Sequence, residues 1–380
     1  MQFTKNKLFQ WCESQFSEQL SLLRTLAAIP APSHQEDQRA QFIKKWLVEN
    51  GAGSVTIDDA KNVILPLGTG ESMLAVMAHT DVVFPDTDPL PVREENECLY
   101  APGVGDDTAN VVALMFCAKF FLTHPEYLPE PLLMVFNSCE EGLGNLKGVR
   151  QIMSDYSGCI HSLVSFDCQS DSIITRAVGS ERWKVAVSTK GGHSFSDFGN
   201  ANAIACLSRL VAALYSQPVP QKEGFKTTYN IGIISGGTSV NTIAQNAEIT
   251  YEYRSDDRDC LAVMARQFQE LVSAAGSPDA QFSVESLGSR PCGENVDKAA
   301  QAALLRRSID AIQSVYGVTP PQCAASTDAN IPLSLGIPAV TFGLYRGGGA
   351  HTRQEYVTIS SLTPGLKIAL SFLLNHNYTD

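Results

Sequence analysis

Residues 73–81 read MLAVMAHTD: six apolar residues in a row, then His79, Thr80 and Asp81. A continuous apolar run of that length, cut off by polar residues, is the pattern of a strand covered on both faces. The texture recurs. PLLMVFN (131–137) runs into SCEEGLGN, SLVSFD (162–167) closes on an acid, and NVILPL (62–67) is a fourth short apolar run. Between them APGVGDDT (101–108) leads into an apolar helix expected over Ala109–Leu122. Strands alternating with helices predict an α/β fold with a mostly parallel sheet, whose functional groups gather at the carboxyl ends of the strands. The polar residues quoted above stand at those ends.

Working outward, helices are expected at 6–29 and 35–50, the second opened by a capping box of Ser33 and Glu36. From Gly179 to Gly288 the pattern changes to alternation. WKVAVSTKGGHS, TTYNIGIISGGTS and AEITYEYRS read as half-buried antiparallel strands, with helices at 200–216 and 257–275. This predicts an α+β sandwich (179–289) inserted into a catalytic domain made of 1–178 and 290–380. The last part returns to a helix at 296–316, the strand GIPAVTFG and a helix after Ser360. A length of 380 residues fits that division, because single cores stop growing near ~250–300 residues.

With 40 acidic against 28 basic residues the net charge is -12, which disfavours nucleic acid and anionic membranes as partners. No run approaches the ~20 apolar residues of a membrane helix, and the acid-bearing amphipathic N-terminus is unlike a secretory signal. Ten scattered cysteines without a CxxC pair read as reduced thiols, hence a cytoplasmic protein.

The chemistry rests on a joint pattern. His79 and His351 lie in polar loops near apolar strands, and Asp106, Asp107, Glu140, Glu141 and Asp167 occupy three more strand-end loops. An acid pair or an HTD triplet alone is ordinary in a solvated turn. A parallel sheet, however, brings such loops together, and imidazole mixed with carboxylate suits zinc, less specifically manganese or cobalt. Carboxylates crowded there would repel unless a divalent cation intervened. His124, His161 and His376 read as structural or exposed.

In order and context, HTDVV, GVGDDTA, NSCEEGLGN, SFD and GGGAHT resemble the successive metal motifs of the dizinc peptidase family. Its members include peptidase T, carboxypeptidase G, aminoacylase, acetylornithine deacetylase and succinyl-diaminopimelate desuccinylase. The resemblance spans about residues 20–370. It implies two zinc ions, with His79 on one, His351 on the other, Asp106 bridging, and Glu141 and Asp167 each on one ion. It further implies that Asp81 orients His79 and that Glu140 is the general base. His193, in KGGHSF, would donate to the oxyanion, usually from the partner subunit of a homodimer formed through the inserted domain. Asn241 and Arg254 match positions that grip the substrate backbone or carboxylate. Arg346 could take the place of Arg254, and Gly348, among glycines 347–349, allows close backbone approach. Asp107 follows the bridging position and is given no chemistry.

Within that family an Asp at position 167 goes with aminopeptidases, and STDAN (326–330) is similar to peptidase T-like members. The expectation is an aminopeptidase for di- or tripeptides. An N-acyl amino acid amidohydrolase is the alternative, and an inactive metal-binding homologue a remoter one. No GxSxG, GxxxxGK[ST] or complete GxGxxG is present.

Overall fold

The apolar runs form the middle of one eight-stranded sheet. Its strand order is 56–57, 63–67, 132–137, 73–79, 160–165, 339–341, 173–177, 322–325. Met73–His79 is parallel to both its neighbours, and Ala339–Thr341 is parallel to Ile160–Ser165. The strand Val63–Leu67 pairs antiparallel at one side. Register sets the site: His79 stands opposite Asn137 and Met77 opposite Ser165, so three polar strand exits lie side by side. This computed structural model describes residues 4–293 and 295–375; His376 lies outside them.

Side-chain alternation then covers both faces of the sheet. Leu74, Val76, Ala78, Leu132, Met134 and Phe136 pack in one cluster with the helices Asn110–Thr123 and Leu362–Leu373. Ala75, Met77, Leu133 and Val135 point the other way, against the helix Lys147–Asp155. The run over Asn110–Thr123 is buried almost all round, which is why its sequence shows no polar stripe.

The chain divides into two compact units, Met1–Ala177 with Glu294–Asp380, and Val178–Gly293. The second holds a four-stranded antiparallel sheet in the order 227–236, 246–255, 179–189, 280–290. Val185, Val187, Ile249, Tyr251 and Tyr253 face the helices Ala203–Ser216 and Arg258–Ala275 through Leu207, Leu210, Met264 and Phe268. Among the described residues no helix is long and apolar enough to cross a membrane. All ten cysteines are free of disulfides.

Three expectations need correction. The single helix at 6–29 is two, Lys5–Ser14 and Phe16–Ala27, because Gln15 N–H turns back to Cys12 O and interrupts the ladder. Ser33 and Glu36 form no capping box. The helix starts at Asp37, the Ser33 hydroxyl donates to Asp81 Oδ2 at 2.6 Å, and Glu36 accepts from Cys139 N–H at 3.2 Å. Finally, Ala280–Arg290 is a fourth strand of the inserted sheet, hidden because its sequence mixes polar residues into both faces.

Candidate metal centre

The turn that carries Asp106 is shaped by two glycines. Gly103 has φ 71°, and a Cβ there would meet Val82 Cγ1 at 2.2 Å; a Cβ on Gly105 would meet Tyr345 Oη at 2.6 Å. The chain passes Asp106 with φ -97° and ψ 90°, outside helical geometry, and the Asp106–Asp107 peptide is cis. Asp106 offers its two oxygens in two directions. Oδ1 lies 3.0 Å from His79 Nε2 and Oδ2 lies 3.1 Å from His351 Nε2, which is also 3.1 Å from Glu141 Oε1. Two donor clusters result, each within 4.8 Å: His79, Asp106, Asp107 and Asp167, and Asp106, Glu141 and His351. Asp106 belongs to both.

A second tier of buried groups fixes these donors. Asp81 accepts from Glu140 N–H (2.9 Å), Glu141 N–H (3.0 Å) and the Ser33 hydroxyl. His79 Nδ1 faces the Asp81 main-chain oxygen at 3.1 Å and its carboxylate at 3.4 Å. A donor role for Nδ1 leaves the Nε2 lone pair toward Asp106, the arrangement a metal-bound imidazole needs. Asp107 sits inside the first cluster, where its oxygens accept from His79 N–H (2.9 Å) and the Asn110 amide. Arg39, fully buried, donates to Thr80 O (3.0 Å) and Thr108 Oγ1 (3.1 Å), joining the His79 loop to the Asp106 turn.

Burial and mutual charge set the protonation of these groups. Burial, and then Asp106, push the Asp167 carboxyl up to about 7. Burial likewise raises Glu141 to about 7, although its bond to His351 opposes this. Burial raises Asp107 well above the carboxylate range. Hydrogen bonds to the Asp106 and Glu141 carboxylates raise His351 to about 11. Burial alone would lower His79, but Asp107, Asp106 and Asp81 outweigh it and drive it upward. Without a cation the cluster balances itself only by retaining protons on imidazoles and acids together. Two imidazoles, two carboxylates and a shared Asp106 fit a pair of divalent cations, zinc foremost by donor chemistry.

The other expected residues each belong to one of the two units. In the second unit, Gly192–His193 pairs with Thr242–Ile243, and Ser194 N–H donates to Asn241 O at 3.0 Å, so His193 and Asn241 are neighbours. His193 Nδ1 accepts from Phe195 N–H (3.2 Å) and Ser196 N–H (3.3 Å), which leaves the proton on Nε2. Arg254 forks onto Glu252, with bonds of 3.1 and 2.9 Å. In the first unit, Arg346 stacks on Tyr316 at 3.9 Å, and Gly348 pairs with Tyr356 in a short ladder.

Sequence reasoning missed Glu36, Arg39 and Glu355. Glu355 accepts backbone N–H groups from the Asp106 turn. The spacing of Glu36 suggests a helix cap instead, and Arg39 and Glu355 have no local spacing signal; each acts on residues far along the chain.

Comparison with known proteins gives a consistent family. A sequence profile described as peptidase family M20/M25/M40 matches residues 75–375. The chain is 26% identical over 377 residues to a putative succinyl-diaminopimelate desuccinylase of Mycobacterium tuberculosis, covering 93% of this chain and 97% of that one. It is 28% identical over 335 residues to an acetylornithine deacetylase of Myxococcus xanthus, with 84% and 83% covered. A tripeptidase of Staphylococcus aureus superposes with a TM-score of 0.75 at 20% identity, over 93% of this chain and 96% of that chain.

Proposed function

The chain belongs to peptidase family M20/M25/M40, and from that membership we propose a two-zinc aminopeptidase that releases the N-terminal residue of di- or tripeptides. The single observation that carries the metal reading is the Asp106 carboxylate, one oxygen turned to each histidine. His79 and Asp167 would hold one ion, His351 and Glu141 the other, and Asp106 both. A bound pair of such cations polarises the scissile carbonyl and acidifies a water near neutral pH. Cobalt or manganese could substitute.

The chain's own residues do the rest. Glu140, nearly buried beside the ligand Glu141, takes the proton of the attacking water as the carbonyl carbon becomes tetrahedral. It returns that proton to the amine nitrogen as the C–N bond breaks. His193 donates Nε2–H to the developing oxyanion, reached from a second copy of the chain. The second unit supports such a homodimer, since its edge strand Thr227–Gly236 exposes Ile233 and Ile234 at 62% and 60%. Asn241, Arg254, Arg346 and the Gly348 backbone are the candidate anchors for substrate ends; Arg254 would have to exchange Glu252 for a substrate carboxylate. Ten unpaired thiols support the cytoplasm as its place.

Asp167 and the fold likeness to a tripeptidase favour a free amino terminus. A second reading, hydrolysis of N-acyl amino acids, is favoured by the desuccinylase and deacetylase relatives. A panel of free di- and tripeptides beside their N-acetyl and N-succinyl counterparts separates the two. Turnover of free peptides is expected; turnover of blocked substrates alone would replace the first reading by the second.

A further inference from the structure

Glu355 takes no part in the reaction just described, yet its carboxylate is 2% exposed and aimed at the Asp106 turn. It accepts three backbone N–H groups from that one turn: Gly103 at 3.1 Å, Gly105 at 2.8 Å and Asp106 itself at 2.7 Å. The main chain closes the same contact, with Ala101 N–H donating to Glu355 O at 3.2 Å. On its other side Glu355 stands four residues beyond His351, in a turn closed by Thr352 N–H to Gly349 O (3.0 Å) and Glu355 N–H to Thr352 O (3.2 Å). One side chain thus joins two segments 249 residues apart in sequence, one bearing Asp106 and the other bearing His351. Those two residues meet at 3.1 Å.

We propose that Glu355 is a positioning residue that sets the approach of Asp106 to His351 and thereby the cation affinity of the bridged pair. The chemistry explains the residue type. Three converging donors need an acceptor-only group, and an ionised carboxylate offers lone pairs on both oxygens. Glutamine would turn an N–H₂ group toward at least one of those donors and leave a backbone N–H buried without a partner. The proposal rests on the two-cation reading above, and the experiment keeps the two apart.

The test compares zinc binding of full-length wild type, E355Q and E355D after chelation, by competition with a chromophoric chelator and by metal count after dialysis. Each apo protein is also melted. Groups that orient metal ligands from behind are worth about 10–100-fold in metal affinity. E355Q should lose that much, and its metal count should fall from two toward one at limiting zinc. E355D keeps the charge one methylene further back and should show a smaller loss. R307A provides the calibration: Arg307 bonds Phe372 O, Leu373 O and Glu130, so its loss should lower the apo Tm with zinc affinity unchanged. If E355Q behaves like R307A, less stable but wild type in affinity, the positioning role is overturned. Should E355Q not fold, wild-type affinity in folded E355D overturns it equally. Wild-type protein that binds no zinc would instead remove the two-cation reading on which the proposal stands.

Discussion

Glu140 and Glu141 are consecutive and chemically alike, yet their surroundings differ. Asp81 holds both backbone N–H groups, at 2.9 and 3.0 Å, which fixes the direction in which each side chain leaves the loop. Glu141 reaches His351 and joins a donor cluster; Glu140 joins neither. Sequence alone shows two adjacent acids, and only the family resemblance distinguished them. Glu140→Gln should therefore retain two bound metals while kcat falls by about 10²–10⁴, the usual scale of a general acid–base group. Metal count beside kcat checks it. Undiminished turnover would exclude the base role, and a lost ion would make Glu140 a ligand.

The loops that bear these residues share one construction: a buried acid from elsewhere accepts their backbone N–H groups. Asp81 serves the Glu140–Glu141 loop, Glu36 accepts from Cys139, Asp107 from His79, and Glu355 from the Asp106 turn. Irregular backbone at depth needs such acceptors, since no ladder satisfies it. The glycines allow the close packing that goes with it. G105A should cost about 1–3 kcal/mol, because a methyl there overlaps the buried Tyr345 side chain, with its hydroxyl oxygen and two ring carbons within 2.7 Å of that position. G53A, with nothing within 4 Å, serves as the matched control and should be neutral or slightly stabilising. Urea denaturation of both reads the contrast; equal effects would mean that Tyr345 yields without cost. This construction also explains what was legible. Long apolar runs ending in acids or histidine announced the strands and their functional ends, because burial on both faces leaves a continuous signal. The acceptors behind the loops left none: Glu36 and Ser33 even mimicked a helix cap, and Glu355 acts on residues some 250 positions away. Ala280–Arg290 escaped for a related reason, since an edge strand needs no clean alternation.

At the scale of the whole molecule, the charge stored at one sheet edge becomes a stability that depends on pH and metal together. In the cation-free protein, burial holds Asp167 and Glu141 near 7, above their ordinary values of 3.8 and 4.5. Between those limits the folded chain keeps protons that the unfolded chain has released. The stability of that state therefore falls as pH rises from about 4.5 to 7. His351, raised to about 11 by Asp106 and Glu141, acts with the same sign at higher pH: its contribution is complete below its ordinary value of 6.5 and is lost toward 11. Cations occupying the site take over from those protons, because the carboxylates are then ionised and paired, and binding to the folded state alone adds about 2.7 kcal/mol per site at a hundredfold excess over Kd. Melting the chelated and zinc-loaded proteins in parallel from pH 5 to 8 should show Tm of the chelated form dropping while that of the loaded form holds, so that the gap widens with pH. Parallel curves would mean that the buried acids titrate as ordinary carboxylates, and the electrostatic case for a cation pair at this sheet edge would fail with them.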